Sequence, residues 1–164
     1  IEICTDREIF ILNPGVFSGA MSLADGIPHQ SFRKFEDVPK SNWGKVIFMG
    51  LPPMVSRMVK YLNFIDHSGV TYMSSSVASY EMLLEGTNKG TAVLEIADML
   101  GIPHEHTGAI GDYFNDYDMI KSVGVPAVCG QAPQAMKDVA TFVACHCNHG
   151  AVADFLEYIE NNCQ

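Results

Sequence analysis

The second half of the chain alternates short apolar segments with helical segments, and this alternation limits the choice of fold more than any other feature. The sequence predicts strands over 107–112, 125–130 and 141–144, and helices over 88–100, 114–123, 132–140 and 150–160. Strands that alternate with helices through short connections are typical of a parallel sheet with helices on its faces. We therefore predict an α/β layer for this half.

The first half shows several strands and one clear helix. Strands are predicted at two places within 1–12 and over 45–50, 69–75 and 79–85, and a helix is predicted from Pro52 to about residue 63. This pattern predicts a small α+β unit with a largely antiparallel sheet. Since the pattern changes near Ser79–Gly86, we expect two domains, 1–80 and 81–164.

Composition excludes several kinds of partner. The 164 residues carry a formal charge of −9, which argues against nucleic acid and anionic membrane surfaces because both attract clustered Lys and Arg. The sequence has no apolar run of the roughly 18–20 residues needed to span a bilayer. Five cysteines without a CxxC pair predict a reduced, cytoplasmic protein. The chain begins at Ile1 within a strand pattern, which we interpret as a processed or truncated start.

The segment Gly111–Asp116, with the sequence GDYFND, lies where a predicted parallel strand passes into a helix. Open α/β sheets bind ligands beyond the carboxyl ends of their strands. Two carboxylates and an amide, Asp112, Asn115 and Asp116, suit a hard cation such as Mg²⁺. The alternative is that Asp112 and Asn115 cap the helix and Asp116 complements its dipole.

Lys89 opens a predicted helix within the segment Gly86–Gly90, against the preference of helix N-termini for anions. A lysine beside strand-end carboxylates is suited to binding phosphate. The alternative is a solvated surface lysine, the commonest state of this residue.

These motifs together resemble the Cof-type branch of the haloacid dehalogenase-like hydrolases. The resemblance follows Lys89-Gly90, Gly111–Asp116, Ala127–Ala132, Lys137 and Gly150-Ala151-Val152 in that order, and it is close over 80–155 and looser over 1–78. It implies the second half of a Rossmann-like parallel core with helices on both faces, preceded by the distal part of an α+β cap domain. Tyr113, Gln131 and His149 depart from the usual residues of that pattern, and we expect them to affect substrate preference more than reaction class.

The resemblance also implies a mechanism. An Asp of the family attacks the phosphoryl group, and water then hydrolyses the aspartyl-phosphate. Lys89 would neutralise phosphoryl oxygens, Asp112 would bind Mg²⁺, Asp116 would orient Lys89 or a metal-bound water and serve with Asp112 at the metal, and Asn115 would hydrogen-bond the phosphoryl group or Asp112. The substrate would be a small phosphorylated metabolite, and the motifs do not say which one.

The family's nucleophile belongs to an Asp-x-Asp motif on the first core strand, and no apolar strand of this sequence ends in that motif. We therefore expect a fragment that is inactive by itself. The alternative is a non-catalytic binding or regulatory module that associates with a partner, with itself or with an N-terminal half through an exposed sheet edge. A P-type pump domain shares a similar motif, but the absence of a membrane span argues against it. A zinc site at Cys145–His149 remains a weaker possibility, because no second cluster completes four ligands.

Overall fold

The structure is a computed structural model that describes residues 1–15, 26–65 and 67–162. The chain divides into two compact units, Ile1–Glu85 and Gly86–Gln164. The division lies five residues beyond the boundary expected after residue 80, because the strand that runs to Leu84 belongs to the first sheet. Cys163 and residues 16–25 lie outside the described residues.

The first unit is built on one mixed sheet. Its strands are β1 (Glu2–Cys4), β2 (Ile9–Leu12), β3 (His29–Phe32), β4 (Lys45–Met49), β5 (Val70–Ser76) and β6 (Ser79–Leu84), in the spatial order β3-β2-β1-β4-β6-β5. All neighbouring strands are antiparallel except β2 and β3, which are parallel. The prediction of a largely antiparallel sheet is therefore confirmed.

Among the described residues of the first unit, one α-helix and one apolar cluster accompany the sheet. Helix α1 (Pro52–Leu62) follows β4, and Pro at its first turn suits a helix start because those N–H groups have no intrahelical partner. The buried cluster consists of Ile3, Phe10, Leu12, Val38 and Val46. Four of its members lie on β1, β2 and β4, where alternate residues of paired strands point to the same face of the sheet, and Val38 follows the 3-10 turn at Phe35–Asp37.

The second unit is a parallel α/β layer. Its strands are β7 (Gly108–Gly111), β8 (Val125–Val128) and β9 (Phe142–Val143), in the order β7-β8-β9 with every pair parallel. Its helices are α2 (Lys89–Leu100), α3 (Tyr117–Ser122), α4 (Gln134–Lys137) and α5 (Ala151–Asn162). Ile120, Val128 and Met136 are fully buried in the core of this unit. The predicted α/β fold class is confirmed.

Two predicted helices are shorter than expected. The segment predicted as one helix over 114–123 is a 3-10 turn at Phe114–Asp116 followed by α3. The helix predicted over 132–140 is limited to α4, which begins after Pro133. A proline fixes the backbone before the first turn, and the short α4 ends where Asp138 begins the passage to β9.

Candidate active site

The three parallel strands of the second unit direct their carboxyl ends to one edge of the sheet. Asp112 follows the end of β7, Gln131 lies shortly after β8, and Cys145 lies shortly after β9. Because parallel strands end on the same side, their following loops converge there. The strand order therefore brings segments that are distant in sequence to a common edge.

Lys89 and Asp116 form an ion pair at this edge. The Nζ atom of Lys89 donates to Oδ1 of Asp116 at 2.5 Å. The side chain of Asp116 is 6% exposed and that of Lys89 is 52% exposed. A nearly buried carboxylate thus holds a lysine whose ammonium group still reaches solvent.

The second oxygen of Asp116 is bound as well. The backbone N–H of Asp112 donates to Oδ2 of Asp116 at 3.0 Å. The Asp116 side chain therefore bridges the end of β7 and the start of α2. Both of its oxygens are engaged inside the unit, which fixes the direction from which it holds Lys89.

Two glycines make room for this arrangement. A Cβ atom on Gly111 would lie 2.5 Å from Cβ and 2.7 Å from Oδ2 of Asp116. A Cβ atom on Gly90 would lie 2.8 Å from the backbone oxygen of Asp118 in α3. Gly111 therefore admits the Asp116 side chain, and Gly90 admits the close approach of α2 to α3 that places Lys89 near Asp116.

Asp112 is exposed and lies beside the ion pair. Its Oδ2 atom accepts a hydrogen bond from Nε2 of Gln131 at 3.2 Å. Its Oδ1 atom accepts no hydrogen bond from the residues that the structure describes. Asn115 is half-buried in the 3-10 turn between Asp112 and α3.

Asp116 lies at the N-cap of α3, as the helix-dipole part of the alternative expects, but the geometry does not support capping by Asp112 or Asn115. The 3-10 turn and α3 have no side-chain cap hydrogen bond. Lys89 follows a capping box in which Asn88 and Thr91 exchange side-chain and backbone hydrogen bonds of 2.9 and 3.1 Å. The Asn88 side chain therefore caps the N-terminus of α2, and the ammonium group of Lys89 donates to Asp116.

Three further groups brace this edge, and of these the sequence analysis gave an expected effect only to Gln131, on substrate preference. Lys137 donates from Nζ to the carbonyl oxygen of Gly130 at 2.6 Å. Gln131 accepts at Oε1 from the backbone N–H of Cys147 at 3.0 Å. Asp154 accepts at Oδ2 from the backbone N–H of Cys145 at 2.7 Å. The position of Gln131 just after a predicted strand was the available signal.

The loop that carries Cys145, His146, Cys147 and His149 is organised by local hydrogen bonds. Nδ1 of His146 accepts from the backbone N–H of Asn148 at 3.2 Å, and Sγ of Cys145 donates to the carbonyl of His149 at 3.4 Å. Across residues 1–15, 26–65 and 67–162, no group of three or more His, Cys, Asp or Glu side chains is arranged to hold a metal ion. The weaker zinc hypothesis thus gains no support.

Comparison with known proteins shows the family of the chain. The sequence model described as haloacid dehalogenase-like hydrolase matches residues 1–156. The chain belongs to this family. The chain is 30% identical over 136 residues to an HMP-PP phosphatase of Citrobacter koseri, a match that covers 82% of this chain and 50% of that protein. The chain thus spans about half the length of the curated relatives it matches.

Solved structures of other proteins share the fold. A Streptococcus mutans protein gives a TM-score of 0.83 at 16% identity and covers 98% of this chain and 61% of its own. A sugar phosphatase of haloacid dehalogenase subclass IIB gives a TM-score of 0.79 at 19% identity and covers 97% of this chain and 60% of its own. The predicted membership in this superfamily, with Cof-type relatives, is confirmed.

The atoms of the candidate site show whether it suits a divalent cation. Asp112 offers a carboxylate that is exposed, lies at a strand end and has one oxygen without a hydrogen bond from the described residues. Hard cations prefer such oxygen ligands. Asp112 therefore fits as one ligand, and the remaining ligands of an octahedral Mg²⁺ would come from other groups and water.

A buried thiol lies near the same edge. Burial raises the pKa of the Cys129 thiol above its ordinary value, and the negative charge of Asp112 raises the pKa further. Cys129 is 8% exposed, so its neutral form is the one that the folded unit accommodates. This thiol is therefore suited to packing, and the raised pKa is the reverse of the lowered pKa that a nucleophilic cysteine needs.

No helix of the described part of the chain combines the length and apolar character that crossing a membrane requires.

Proposed function

We propose that this chain supplies the phosphoryl- and cation-binding part of a Mg²⁺-dependent phosphatase that acts on small phosphorylated metabolites. The observation that carries the proposal is the ammonium group of Lys89, which the nearly buried carboxylate of Asp116 holds beside the strand end that carries Asp112. Phosphoryl transfer depends mainly on positioning and on neutralising negative charge. A fixed lysine and an adjacent free carboxylate oxygen serve both needs.

Distinct roles then follow for Lys89, Asp112, Asn115 and Asp116. Lys89 neutralises the phosphoryl oxygens, and Asp112 binds Mg²⁺ through its free oxygen. Asp116 orients Lys89, since both of its oxygens are already engaged within the unit. A role of Asp116 at the cation would then be indirect, through a bound water. Asn115, which is half-buried one residue before Asp116, hydrogen-bonds the phosphoryl group.

Mg²⁺, when bound, neutralises charge on the phosphoryl oxygens and helps to orient the group for in-line attack. Asp112 contributes one carboxylate, so we expect weak cation binding by the 164 residues alone. The affinity would rise when a second carboxylate and the substrate phosphate complete the ligand set.

The attacking carboxylate is proposed to lie on a strand that is absent from these 164 residues. Strand β7 pairs with β8 on one side and is the edge strand of the described sheet on the other. An unpaired strand edge accepts another strand through its free N–H and C=O groups. A strand ending in Asp-x-Asp at this edge would place its first carboxylate near Lys89 and Asp112.

We assign the first unit to a cap that excludes water and selects the leaving group. Relatives named as an HMP-PP phosphatase and a sugar phosphatase support a small phosphorylated metabolite as the substrate class. A cytoplasmic location suits such a substrate. The four described cysteines are free thiols, which supports the proposed reducing compartment.

The test is an activity assay on an aryl phosphate with excess Mg²⁺. We expect no turnover from the 164 residues alone, and turnover when a separate polypeptide that carries the Asp-x-Asp strand is added. Asp112→Asn should abolish that turnover, whereas Asp98→Asn, which alters an exposed carboxylate paired with His104, should leave it unchanged. Turnover by the chain alone that Asp112→Asn abolishes would contradict the proposed source of the nucleophile.

A further inference from the structure

Gln131 connects two loops of the second unit through the two ends of its side-chain amide. Nε2 donates to Oδ2 of Asp112 at 3.2 Å, and Oε1 accepts from the backbone N–H of Cys147 at 3.0 Å. Asp112 follows β7 and Cys147 lies in the loop after β9. One side chain thus joins the loops of the two outer strands across the end of the central strand.

The two hydrogen bonds determine the orientation of the amide. If the oxygen and nitrogen of Gln131 were exchanged, an oxygen would face the Asp112 carboxylate and an NH₂ group would face the Cys147 N–H. Both contacts would then be repulsive, because each would join two acceptors or two donors. The observed orientation satisfies both ends at once.

The residue before Gln131 and the loop that carries Cys147 are both held in place by other contacts. Lys137 binds the carbonyl oxygen of Gly130 at 2.6 Å, and the backbone N–H of Gly130 donates to the carbonyl of Cys145 at 3.0 Å. Asp154 holds the backbone N–H of Cys145 at 2.7 Å. The side chain of Gln131 therefore extends from an anchored turn to an anchored loop. Of its two hydrogen-bond partners, the Asp112 side chain is held by fewer other contacts than the Cys147 backbone.

Asp112 depends on this contact for its side-chain orientation. The bond from Gln131 is the one hydrogen bond that its carboxylate makes among the described residues, and the side chain is exposed. With Oδ2 engaged, the carboxylate presents Oδ1 as the available cation ligand. Groups that hydrogen-bond a ligand in this way fix its orientation and strengthen its binding of a metal.

We propose that Gln131 is a positioning residue that orients Asp112 for cation binding and couples the carboxylate to the loop at Cys147–His149. This inference rests on the proposed role of Asp112 as a Mg²⁺ ligand. Binding of the cation at Asp112 then changes the hydrogen bond at Cys147, because the Gln131 amide takes part in both contacts.

The test is a Mg²⁺ titration of the ¹⁵N-labelled chain, followed through its backbone amide resonances. In the wild-type chain, the amides of Asp112 and Cys147 should shift together with one dissociation constant. Gln131→Met removes both hydrogen bonds at similar side-chain length. It should weaken Mg²⁺ binding about tenfold or more and abolish the Cys147 response.

Two further variants separate positioning from a merely structural role. Gln134→Met is the matched control, since Nε2 of Gln134 also donates to a carboxylate, Oδ1 of Asp138 at 2.8 Å, on an exposed surface. It should leave the Mg²⁺ titration unchanged. Gln131→Asn keeps the amide but lacks one methylene, so it should lose the Cys147 response even where it folds like the wild type.

The outcomes distinguish this inference from the proposed function. Wild-type affinity and an intact Cys147 response in Gln131→Met would overturn the positioning role while leaving Asp112 as the ligand. Mg²⁺ shifts that survive Asp112→Asn would instead overturn the proposed function, and the role of Gln131 with it. Loss of the Cys147 response in both Gln131 variants, with Gln134→Met unaffected, would support the inference.

Discussion

Each unit of the molecule contains, among the described residues, one ion pair between a lysine and a more deeply buried carboxylate. In the first unit Lys45 and Glu81 lie 3.1 Å apart, with side chains 38% and 12% exposed. In the second unit Lys89 and Asp116 lie 2.5 Å apart, with side chains 52% and 6% exposed. The two pairs differ in what holds the carboxylate.

Strand register alone brings the first pair together. Ile47 lies opposite Glu81 and Lys45 lies opposite Leu83 across β4 and β6, so Lys45 and Glu81 are diagonal neighbours on one face of the sheet. Asp116 instead accepts a backbone N–H at the end of a parallel strand, in space left by Gly111. The two pairs therefore differ in that backbone and glycine contacts fix the direction of the Lys89–Asp116 pair, which is the pair that we propose to serve a site.

Lysine substitutions should separate the two pairs most strongly. When the separate Asp-x-Asp polypeptide is added, Lys89→Met should lower kcat/KM for an aryl phosphate by about 10²–10³-fold, because the proposed role of Lys89 is to hold a positive charge beside the phosphoryl group. Lys45→Met should leave kcat/KM nearly unchanged, since a generic aryl phosphate needs few specific contacts with the first unit. Steady-state kinetics provide the measurement, and equal losses in the two variants would remove the functional distinction.

Glycine substitutions should give the next largest difference, in stability. Gly90→Ala should cost roughly 1–3 kcal/mol of unfolding free energy, because its Cβ would clash with the backbone of Asp118. At Gly44 a Cβ would meet its nearest atom, the backbone oxygen of Cys4, at 3.6 Å, an ordinary contact. Gly44→Ala should therefore be neutral or stabilise by up to about 1 kcal/mol.

Denaturant unfolding, followed by resonances of each unit, measures these stability changes separately. A Gly90→Ala variant as stable as the wild type would mean that α2 and α3 separate at little cost, and the glycine argument for the placement of Lys89 would fail.

The smallest expected effect concerns thiol ionisation. Burial raises the pKa of Cys4 in the first unit, and burial with the charge of Asp112 raises the pKa of Cys129 in the second, both from an ordinary value of 9.0. Below that value both folded and unfolded states keep the proton, and above it the unfolded state loses the proton first. Stability should therefore fall as pH rises through this range.

Denaturation curves from about pH 8 to about pH 10.5 measure this slope. Cys129→Ala and Cys4→Ala should each reduce the alkaline loss of stability. Asp112→Asn should reduce the contribution of Cys129 and leave that of Cys4 unchanged. The charge of Asp112 raises the pKa of Cys129 and does not act on Cys4. An equal effect of Asp112→Asn in both cysteine variants would contradict this assignment.

The sequence predicted those parts of the fold and site that depend on local patterns. The alternation of strands and helices predicts the parallel layer, and Gly111–Asp116 is a continuous segment at a strand end. Strand β3 (His29–Phe32) was missed because its polar sequence, HQSF, lacks apolar alternation, and its pairing with β2 is what makes it a strand. Pairing across the sheet is not visible in a local pattern.

The contacts of Gln131 were beyond sequence reasoning for a similar reason. Its partners Asp112 and Cys147 lie 19 and 16 residues away in the chain, and the order β7-β8-β9 brings all three together. The ion pair of Lys89 with Asp116 also spans 27 residues, but both members stand at the ends of predicted elements. The positions of the two motifs therefore suggested the Lys89–Asp116 pair. No local pattern suggested that Gln131 joins Asp112 to Cys147.

The most direct test of the proposed site is paramagnetic broadening of the ¹⁵N-labelled chain by substoichiometric Mn²⁺, a substitute for Mg²⁺. The account predicts that amide signals broaden first around Asp112, with Gly111 and Gln131 among the earliest, and that Asp112→Asn removes the effect. Broadening centred on Lys45 and Glu81 in the first unit, unchanged by Asp112→Asn, would contradict the proposed cation site.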